Sequence, residues 1–258
     1  MHRRPTRWIK YKKLGNRLAP LTYHKDFKPD QNFRPVHINC FSNGVYYCSN
    51  KSSRVSTPVP PPRATTWYTM MLSQPQWIQD LLSRIEFGSV ADIVTCIANE
   101  THLIAVSDGS VKIPHMTSAW VLSSPSGQRL ALGMSTCHGR PSSLRSEASA
   151  MLSASLFIGM VQVFTNFAFS SIPVLFAADN SALIRRQTEH LGFTNCYPNL
   201  TLASKFDLTE QIHMTHKEYQ IKATFVHVKG HQDDTNAIQN LPLLAQLNIE
   251  ADKLAGLY

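Results

Sequence analysis

The stretch Leu103-Ile104-Ala105-Val106-Ser107-Asp108-Gly109-Ser110 is the part of the sequence that decides the fold. An apolar run ends in a carboxylate that is followed at once by glycine. Such a run predicts a short buried strand, here residues 102–106, and the Asp-Gly pair predicts that the strand ends there. In sheets covered by helices, functional sites collect at the carboxyl ends of strands. We therefore expect Asp108 to lie in a site at the end of the first strand.

The sequence that follows predicts strands and helices in the order β-β-β-α-β-α-α-β-α. The second and third strands form a hairpin, because Pro125, Ser126 and Gly127 supply a turn. The fourth strand is short and fully apolar, which is typical of parallel sheets. These patterns predict an α/β fold with a five-stranded mixed sheet, three strands antiparallel and then two parallel, flanked by helices. The predicted strands are 102–106, 118–122, 129–137, 173–178 and 224–228, and the helices are 143–163, 180–191, 208–220 and 241–257.

The segment before this domain differs in charge and composition. Residues 1–66 carry a net charge of +11, whereas the remaining 192 residues carry −3. They are rich in Pro, Ser and Asn and are interpreted as a basic N-terminal extension and linker. Such a segment either contacts nucleic acid or another polyanion, or is a solvated tail, and the sequence leaves both open. Residues 67–100 are predicted to form a helical connector, since Trp77, Ile78, Leu81, Leu82 and Ile85 have helical spacing.

Cysteine usage and hydropathy give expectations about the compartment. The five cysteines are widely spaced and no CxxC occurs, so neither a disulfide framework nor a zinc site is indicated. With no secretory signal visible, an intracellular location is expected, and nucleus and cytoplasm are not distinguished. Polar residues interrupt the most apolar region, around 151–169, which favours a buried helix over a membrane span.

Three further acidic residues follow Asp108, each in its own predicted element. Glu147 lies in the early turns of the helix 143–163, Asp179 follows the strand 173–178, and Asp252 lies in the last helix. Alone, each has an ordinary structural explanation: a turn residue, an acid near a helix N-terminus, a helix cap or an exposed helix acid. Together, four converging carboxylates would repel one another unless cations neutralise them. Hard oxygen ligands favour Mg²⁺ or Mn²⁺.

A histidine lies in the loop after the last predicted strand. The ordinary pKa of a histidine such as His231 is near neutrality, which suits a proton shuttle beside a metal site. An ordinary loop histidine is the other interpretation.

The order of these motifs resembles the ribonuclease H domain, in the type 1-like, retroelement-associated branch of that superfamily. The resemblance covers residues 101–258 and lies in Val106-Ser107-Asp108-Gly109-Ser110, Arg145-Ser146-Glu147-Ala148, Ala178-Asp179-Asn180, Val228-Lys229-Gly230-His231 and Asn248-Ile249-Glu250-Ala251-Asp252. It implies an endoribonuclease that cuts the RNA strand of an RNA–DNA hybrid with two Mg²⁺ or Mn²⁺ ions. It implies metal ligation by Asp108, Glu147, Asp179 and Asp252, an auxiliary catalytic role for His231, and nucleic-acid contacts by Ser110, Asn180, Arg145 and Lys229.

One departure from the family pattern keeps alternatives open. His231 and Asp252 are 21 residues apart, and the segment 233–246 between them is long for this loop. The alternatives are a catalytically weak or inactive nucleic-acid-binding relic, a nuclease of the integrase or transposase type, and an interaction protein that uses its basic arm. An upstream reverse-transcriptase domain is a further hypothesis, in which residues 1–66 are the trailing end of a polyprotein.

Overall fold

The structure is a computed structural model that describes residues 11–14, 17–20, 37–40, 46–49, 66–99, 102–165, 173–192 and 205–257. The chain divides into two compact units, Met1–Arg63 with Asn195–Phe206, and Ala64–Thr194 with Asp207–Tyr258. The first unit contains two small antiparallel sheets that the sequence patterns did not predict. In one, β1 (Tyr11–Leu14) pairs with β2 (Arg17–Pro20); in the other, β3 (His37–Cys40) pairs with β4 (Tyr46–Ser49).

The second unit holds the predicted α/β domain. Its strands are β5 (Arg84–Phe87), β6 (Leu103–Lys112), β7 (His115–Ser123), β8 (Arg129–Thr136), β9 (Pro173–Ala178) and β10 (Lys222–His227). Its helices are α1 (Trp67–Leu72), α2 (Gln76–Leu81), α3 (Val90–Asn99), α4 (Ser143–Thr165), α5 (Ser181–Gly192), α6 (Phe206–Glu218) and α7 (Leu243–Gly256).

The strands form one mixed sheet in the order β10-β9-β6-β7-β8-β5. The neighbours β6, β7, β8 and β5 are antiparallel, while β9 and β10 run parallel to β6. The predicted mixed sheet is therefore confirmed, with six strands in place of five.

The sixth strand corrects the prediction for residues 67–100. The sequence predicts a helix at Ile85, but Ile85 lies in β5 and pairs with Gly133 of β8. Its helical spacing relative to Leu81 and Leu82 was coincidental, because the free edge of β8 stabilises an extended segment there. Five other residues of this segment belong to the core of the domain: Met70, Ile78, Leu82, Ile93 and Cys96.

The core lies on both faces of the sheet. Side chains of a strand alternate between faces, and Ala105 of β6 packs in the large cluster with α4, whereas Val106 packs in a second cluster with α7. Residues 146–161 of α4 are all buried. Among the described residues α4 is the one helix long and apolar enough to span a membrane, and its burial in this core agrees with the predicted buried helix.

Candidate metal centre

The register between two parallel strands brings two of the predicted carboxylates, Asp108 and Asp179, together. Val106 of β6 pairs with Ala177 of β9, and two residues further along the chain each segment reaches an aspartate, Asp108 inside β6 and Asp179 just after β9. The parallel ladder stops at this point, but β6 continues because Asp108 still pairs with Ala119 of β7. Asp108 therefore lies inside a strand longer than predicted, although it lies at the carboxyl end of the parallel part of the sheet.

A glycine lets the third carboxylate approach this point. Glu147 lies in the second turn of α4, and a Cβ atom on Gly109 would collide with the side chain of Ser146 and the backbone nitrogen of Glu147. Only glycine, which has no Cβ, allows α4 to lie this close to β6. The Asp-Gly pair that predicted a strand end therefore serves a close approach between a strand and a helix.

The three side chains form a compact acidic cluster. One carboxylate oxygen from each of Asp108, Glu147 and Asp179 lies within 4.8 Å of the other two, with Asp108 and Glu147 buried and Asp179 half-buried. The backbone N–H of Gly109 donates to Asp108 Oδ1 at 2.6 Å. Asn180 Nδ2 donates to Glu147 Oε1 at 3.1 Å, and Asn180 Oδ1 accepts from the N–H of Leu183 in α5. Asn180 thereby fixes Glu147 relative to the start of α5.

Burial and mutual repulsion disfavour the charged form of the carboxylates in this cluster. Burial, together with the nearby charges of Asp179 and Asp252, raises the pKa of Asp108 to about 7, although the Gly109 N–H and His231 oppose this. Burial also raises the pKa of Glu147, with further contributions from Asp179 and Asp108, against the hydrogen bond from Asn180. Carboxylates placed in this way are stabilised in the charged form by a cation.

The donor set fits a hard divalent cation. Glu147 Oε2 is buried and has no hydrogen-bond partner among the described residues. A buried carboxylate oxygen without a partner is costly unless another group, such as a metal ion, satisfies it. Three carboxylates are the oxygen ligands that Mg²⁺ and Mn²⁺ prefer. The residues present therefore fit a divalent metal ion, and its identity as Mg²⁺ or Mn²⁺ stays a prediction.

The fourth predicted ligand lies nearby on α7. Asp252 is half-buried, and its charge contributes to the raised pKa of Asp108, but it is not one of the three residues in the compact cluster. The C-terminal end of α7 is held by two strands: Thr117 Oγ1 donates to the carbonyl of Ala255 at 2.7 Å, and Lys112 Nζ donates to that of Gly256 at 3.0 Å. Metal ligation by Asp252 stays a prediction.

His231 lies in the loop that follows β10. It is exposed, has a left-handed backbone with φ of 51°, and lowers the pKa of Asp108 by its charge. The long segment after it forms two short 3-10 turns, Gln232–Asp234 and Ile238–Asn240. Asp233 returns to α7, with its Oδ2 atom 3.8 Å from Lys253 Nζ. The auxiliary catalytic role of His231 stays a prediction.

The predicted nucleic-acid contacts have different surroundings. Lys229 is exposed, and Ser110 is half-buried in β6. Asn180 bonds Glu147, as described above. The guanidinium of Arg145 forms a 2.8 Å ion pair with Asp207 of α6 and donates through Nε to the carbonyl of His138 at 2.6 Å. Arg145 therefore joins α4 to α6, and the nucleic-acid role of all four residues stays a prediction.

Two residues beside Asp179 were not singled out from the sequence for a role in the site. His227, the last residue of β10, has its Nε2 atom 2.9 Å from the carbonyl oxygen of Asp179. A Cβ atom on Gly230 would collide with Asp179 Oδ2. The signal that could have found them is positional, because the carboxyl end of β10 lies next to that of β9 in a parallel pair.

The strand order, with α4 and α7 on opposite faces and an acidic cluster where the parallel ladder between β6 and β9 stops, agrees with the mixed α/β fold that the sequence predicts. No protein-family model matches the chain, and no curated protein matches it.

Solved structures similar to this chain include those of three proteins. Ribonuclease H1 from the halophilic archaeon Halobacterium salinarum NRC-1 shares 19% identity over 60% of this chain and 95% of its own, with a TM-score of 0.39. LC11-RNase H1 was isolated from compost by a metagenomic approach. Its structure in complex with an RNA/DNA hybrid shares 17% identity with this chain, over 59% of this chain and 92% of its own, with a TM-score of 0.41. The protease–reverse transcriptase of prototype foamy virus shares 20% over 60% of this chain and 20% of its own, with a TM-score of 0.40.

Proposed function

We propose that this protein is a metal-dependent endoribonuclease that hydrolyses the RNA strand of RNA–DNA hybrids. The observation that carries the proposal is the convergence of Asp108, Glu147 and Asp179, with a buried Glu147 oxygen that lacks a partner among the described residues. The sequence motifs that resemble ribonuclease H supply the substrate class. An acidic cluster of this kind has no evident role in holding the fold together, because burial and mutual repulsion both oppose its charge.

Asp108, Glu147 and Asp179 would hold Mg²⁺ or Mn²⁺, with Asp252 as the proposed fourth ligand and two ions per site. Bound ions of this kind lower the pKa of a water nucleophile and stabilise the leaving oxygen of a phosphodiester. The chain orients its own ligands: the Gly109 N–H fixes Asp108, and Asn180 fixes Glu147. His231, exposed next to these carboxylates, would transfer a proton to or from the departing group.

Substrate recognition would depend on the shape of the duplex. A hybrid presents 2′-hydroxyls in a wide minor groove, so a protein can bind it with little base preference. Ser110, Asn180, Arg145 and Lys229 are the proposed contacts to the nucleic acid. The basic residues 1–66 would add non-specific affinity that weakens with salt. An intracellular location and an upstream reverse-transcriptase domain belong to the same proposal.

The experiment is the cleavage of a labelled RNA–DNA hybrid in Mg²⁺ and in Mn²⁺, beside duplex RNA, duplex DNA and single strands. We expect hybrid-only cleavage by the wild type and a loss of at least about 100-fold in Asp108→Asn, because the variant removes a ligand charge. The matched control is Asp92→Asn, which removes an exposed carboxylate from α3 and should cut like the wild type. A folded wild type that cuts nothing in either metal overturns the proposal. In that case a relic that binds nucleic acid is the better account, whereas cleavage of duplex DNA would favour an integrase-type nuclease.

A further inference from the structure

The segment from His227 to His231 encloses Asp179 on one side. The N–H of Val228 donates to the carbonyl of Ala178 at 3.0 Å, which extends the β9–β10 ladder to the residue before Asp179. The next contact is made by a side chain, with His227 Nε2 2.9 Å from the Asp179 carbonyl oxygen. Gly230 then passes so close to Asp179 Oδ2 that any larger residue would displace the carboxylate. The segment therefore contacts both the backbone and the carboxylate of Asp179.

The chemistry of the His227 contact fixes the direction of the hydrogen bond. A carbonyl oxygen can only accept, so His227 donates from Nε2 and that nitrogen carries the proton. A phenyl ring keeps the shape of this side chain but has no donor. A glutamine side chain places an amide N–H at about the same distance from the backbone. These two replacements therefore separate the hydrogen bond from the size of the side chain.

Asp179 is the cluster member whose backbone is least fixed by regular structure. Asp108 lies inside β6 with β7 paired beside it, and Glu147 lies inside α4. Asp179 follows the last residue of β9 and is half-buried. A carboxylate in such a position needs contacts from outside its own strand to keep a defined geometry. His227 supplies one of these contacts directly to the peptide unit that Asp179 begins.

We propose that His227 is a positioning residue for the metal site: its hydrogen bond to the Asp179 carbonyl holds the Asp179 carboxylate at the distance from Asp108 and Glu147 that a divalent cation requires. The same bond holds the loop that carries His231 against Asp179. This inference rests on the proposed function, because it assigns a role to His227 toward the same cation. Residues that orient metal ligands commonly change metal affinity by about 10- to 100-fold when removed.

The first test is a calorimetric titration of the full chain with Mn²⁺, without nucleic acid, in the wild type, His227→Phe and His227→Gln. We expect Mn²⁺ to bind His227→Phe about tenfold more weakly than the wild type and His227→Gln within about threefold of it. The control is His115→Phe, which replaces an exposed histidine at the start of β7 and should bind like the wild type. Equal affinity in the wild type and His227→Phe overturns the inference.

A second measurement does not depend on metal. In the metal-free protein, hydrogen exchange at the Val228 amide reports whether the end of β10 remains closed on β9. We expect faster exchange at Val228 in His227→Phe, with normal exchange in His227→Gln and an unchanged rate in the middle of β9. Unchanged Val228 exchange in His227→Phe counts against the hydrogen bond. A wild type that binds no Mn²⁺ overturns the proposed function together with this inference. Mn²⁺ binding with the same affinity in the wild type and in His227→Phe overturns this inference alone.

Discussion

The Asp108 carboxylate, which the proposed metal site needs, should lower the stability of the metal-free protein. This carboxylate is buried and has a pKa near 7, so at pH 8 the metal-free domain holds a charge that burial and Asp179 disfavour. Asp108→Asn removes the charge and keeps an oxygen that can accept from the Gly109 N–H. We expect Asp108→Asn to raise the free energy of unfolding of the metal-free protein by at least about 1 kcal/mol, or about 2–4 °C in Tm. Thermal unfolding at pH 8 in a chelator measures it.

The sign of this effect depends on pH and on metal. Between about pH 4 and 7 the folded protein holds a proton on Asp108 that the unfolded chain has lost, so this residue makes stability fall as pH rises. The gain in Asp108→Asn should therefore shrink toward pH 4 and disappear when Mg²⁺ stabilises the wild type. Asp92→Asn should change Tm little under all these conditions. A destabilised Asp108→Asn at pH 8 would show that the carboxylate has a structural role.

The sequence indicates which residues belong to the site better than how they are held. Asp108, Glu147 and Asp179 could be predicted because each follows or occupies a recognisable element. The partnerless oxygen of Glu147 and the bond between His227 and Asp179 could not, since both depend on how separate elements pack. His227 in particular looks like an ordinary strand residue until β10 is placed beside β9.

The contact between α4 and β6 depends on Gly109. Because a Cβ atom there would collide with Ser146 and with the backbone of Glu147, Gly109→Ala must push the start of α4 away from the strand. We expect a loss of about 1–3 kcal/mol in the free energy of unfolding and a large loss of Mn²⁺ affinity. Denaturant unfolding and metal titration measure the two effects. Gly256→Ala is the control, because nothing lies within 4 Å of a Cβ atom at that position; equal behaviour of the two variants would contradict the close approach.

The end of α7 is predicted to depend on Thr117. This buried hydroxyl donates to the carbonyl of Ala255, three residues beyond Asp252. Thr117→Val keeps the shape but leaves that carbonyl without its donor, which should cost about 1–2 kcal/mol of unfolding free energy. Chemical denaturation of Thr117→Val beside Thr224→Val, an exposed position on β10, measures the difference. If both variants lose the same stability, the bond to α7 does not matter.

Elements with a strong pattern of their own were predicted well, and those that depend on a partner were not. The strand at 173–178 and the start of α4 at Ser143 match the structure. β5 was missed because four residues carry little periodicity and owe their extended form to β8. β6 was predicted too short because its second half, beyond Asp108, is specified by pairing with β7 and not by its own apolar residues.

The stability of the whole domain should depend on the protonation of His216, a buried histidine that has no role in the proposed metal site. His216 is buried, its ring centroid lies 4.9 Å from that of Phe176 and 5.8 Å from that of Phe225, and its Nε2 atom is 2.8 Å from Ser155 Oγ. Burial, with a smaller contribution from His213, lowers the pKa of His216 to about 3. The folded domain therefore holds this ring neutral in its core.

The consequence is acid sensitivity. Between about pH 6.5 and 3 the unfolded chain binds a proton at His216 that the folded chain excludes, so stability is present above pH 6.5 and is lost as pH falls. The expected loss is up to about 1.4 kcal/mol per pH unit within this window. His216→Phe should remove that slope, and urea unfolding at pH 7, 6, 5 and 4 compares the two proteins. Parallel curves for the wild type and His216→Phe would be inconsistent with a neutral buried ring.

The pairing of Val106 with Ala177 also restricts how this domain can vary in length. Asp108 and Asp179 each lie two residues beyond that pair. A strand alternates its side chains, so inserting or deleting one residue between Val106 and Asp108 in β6 would turn that carboxylate to the opposite face of the sheet. The same change between Ala177 and Asp179 would move the second aspartate away from the end of the parallel ladder. Apolar residues of β6 and β9 can be exchanged for others of similar size at modest cost, but a change of one residue in spacing cannot be compensated by repacking. Libraries that substitute within these strands should retain active members, whereas libraries of single-residue insertions at the same positions should retain none.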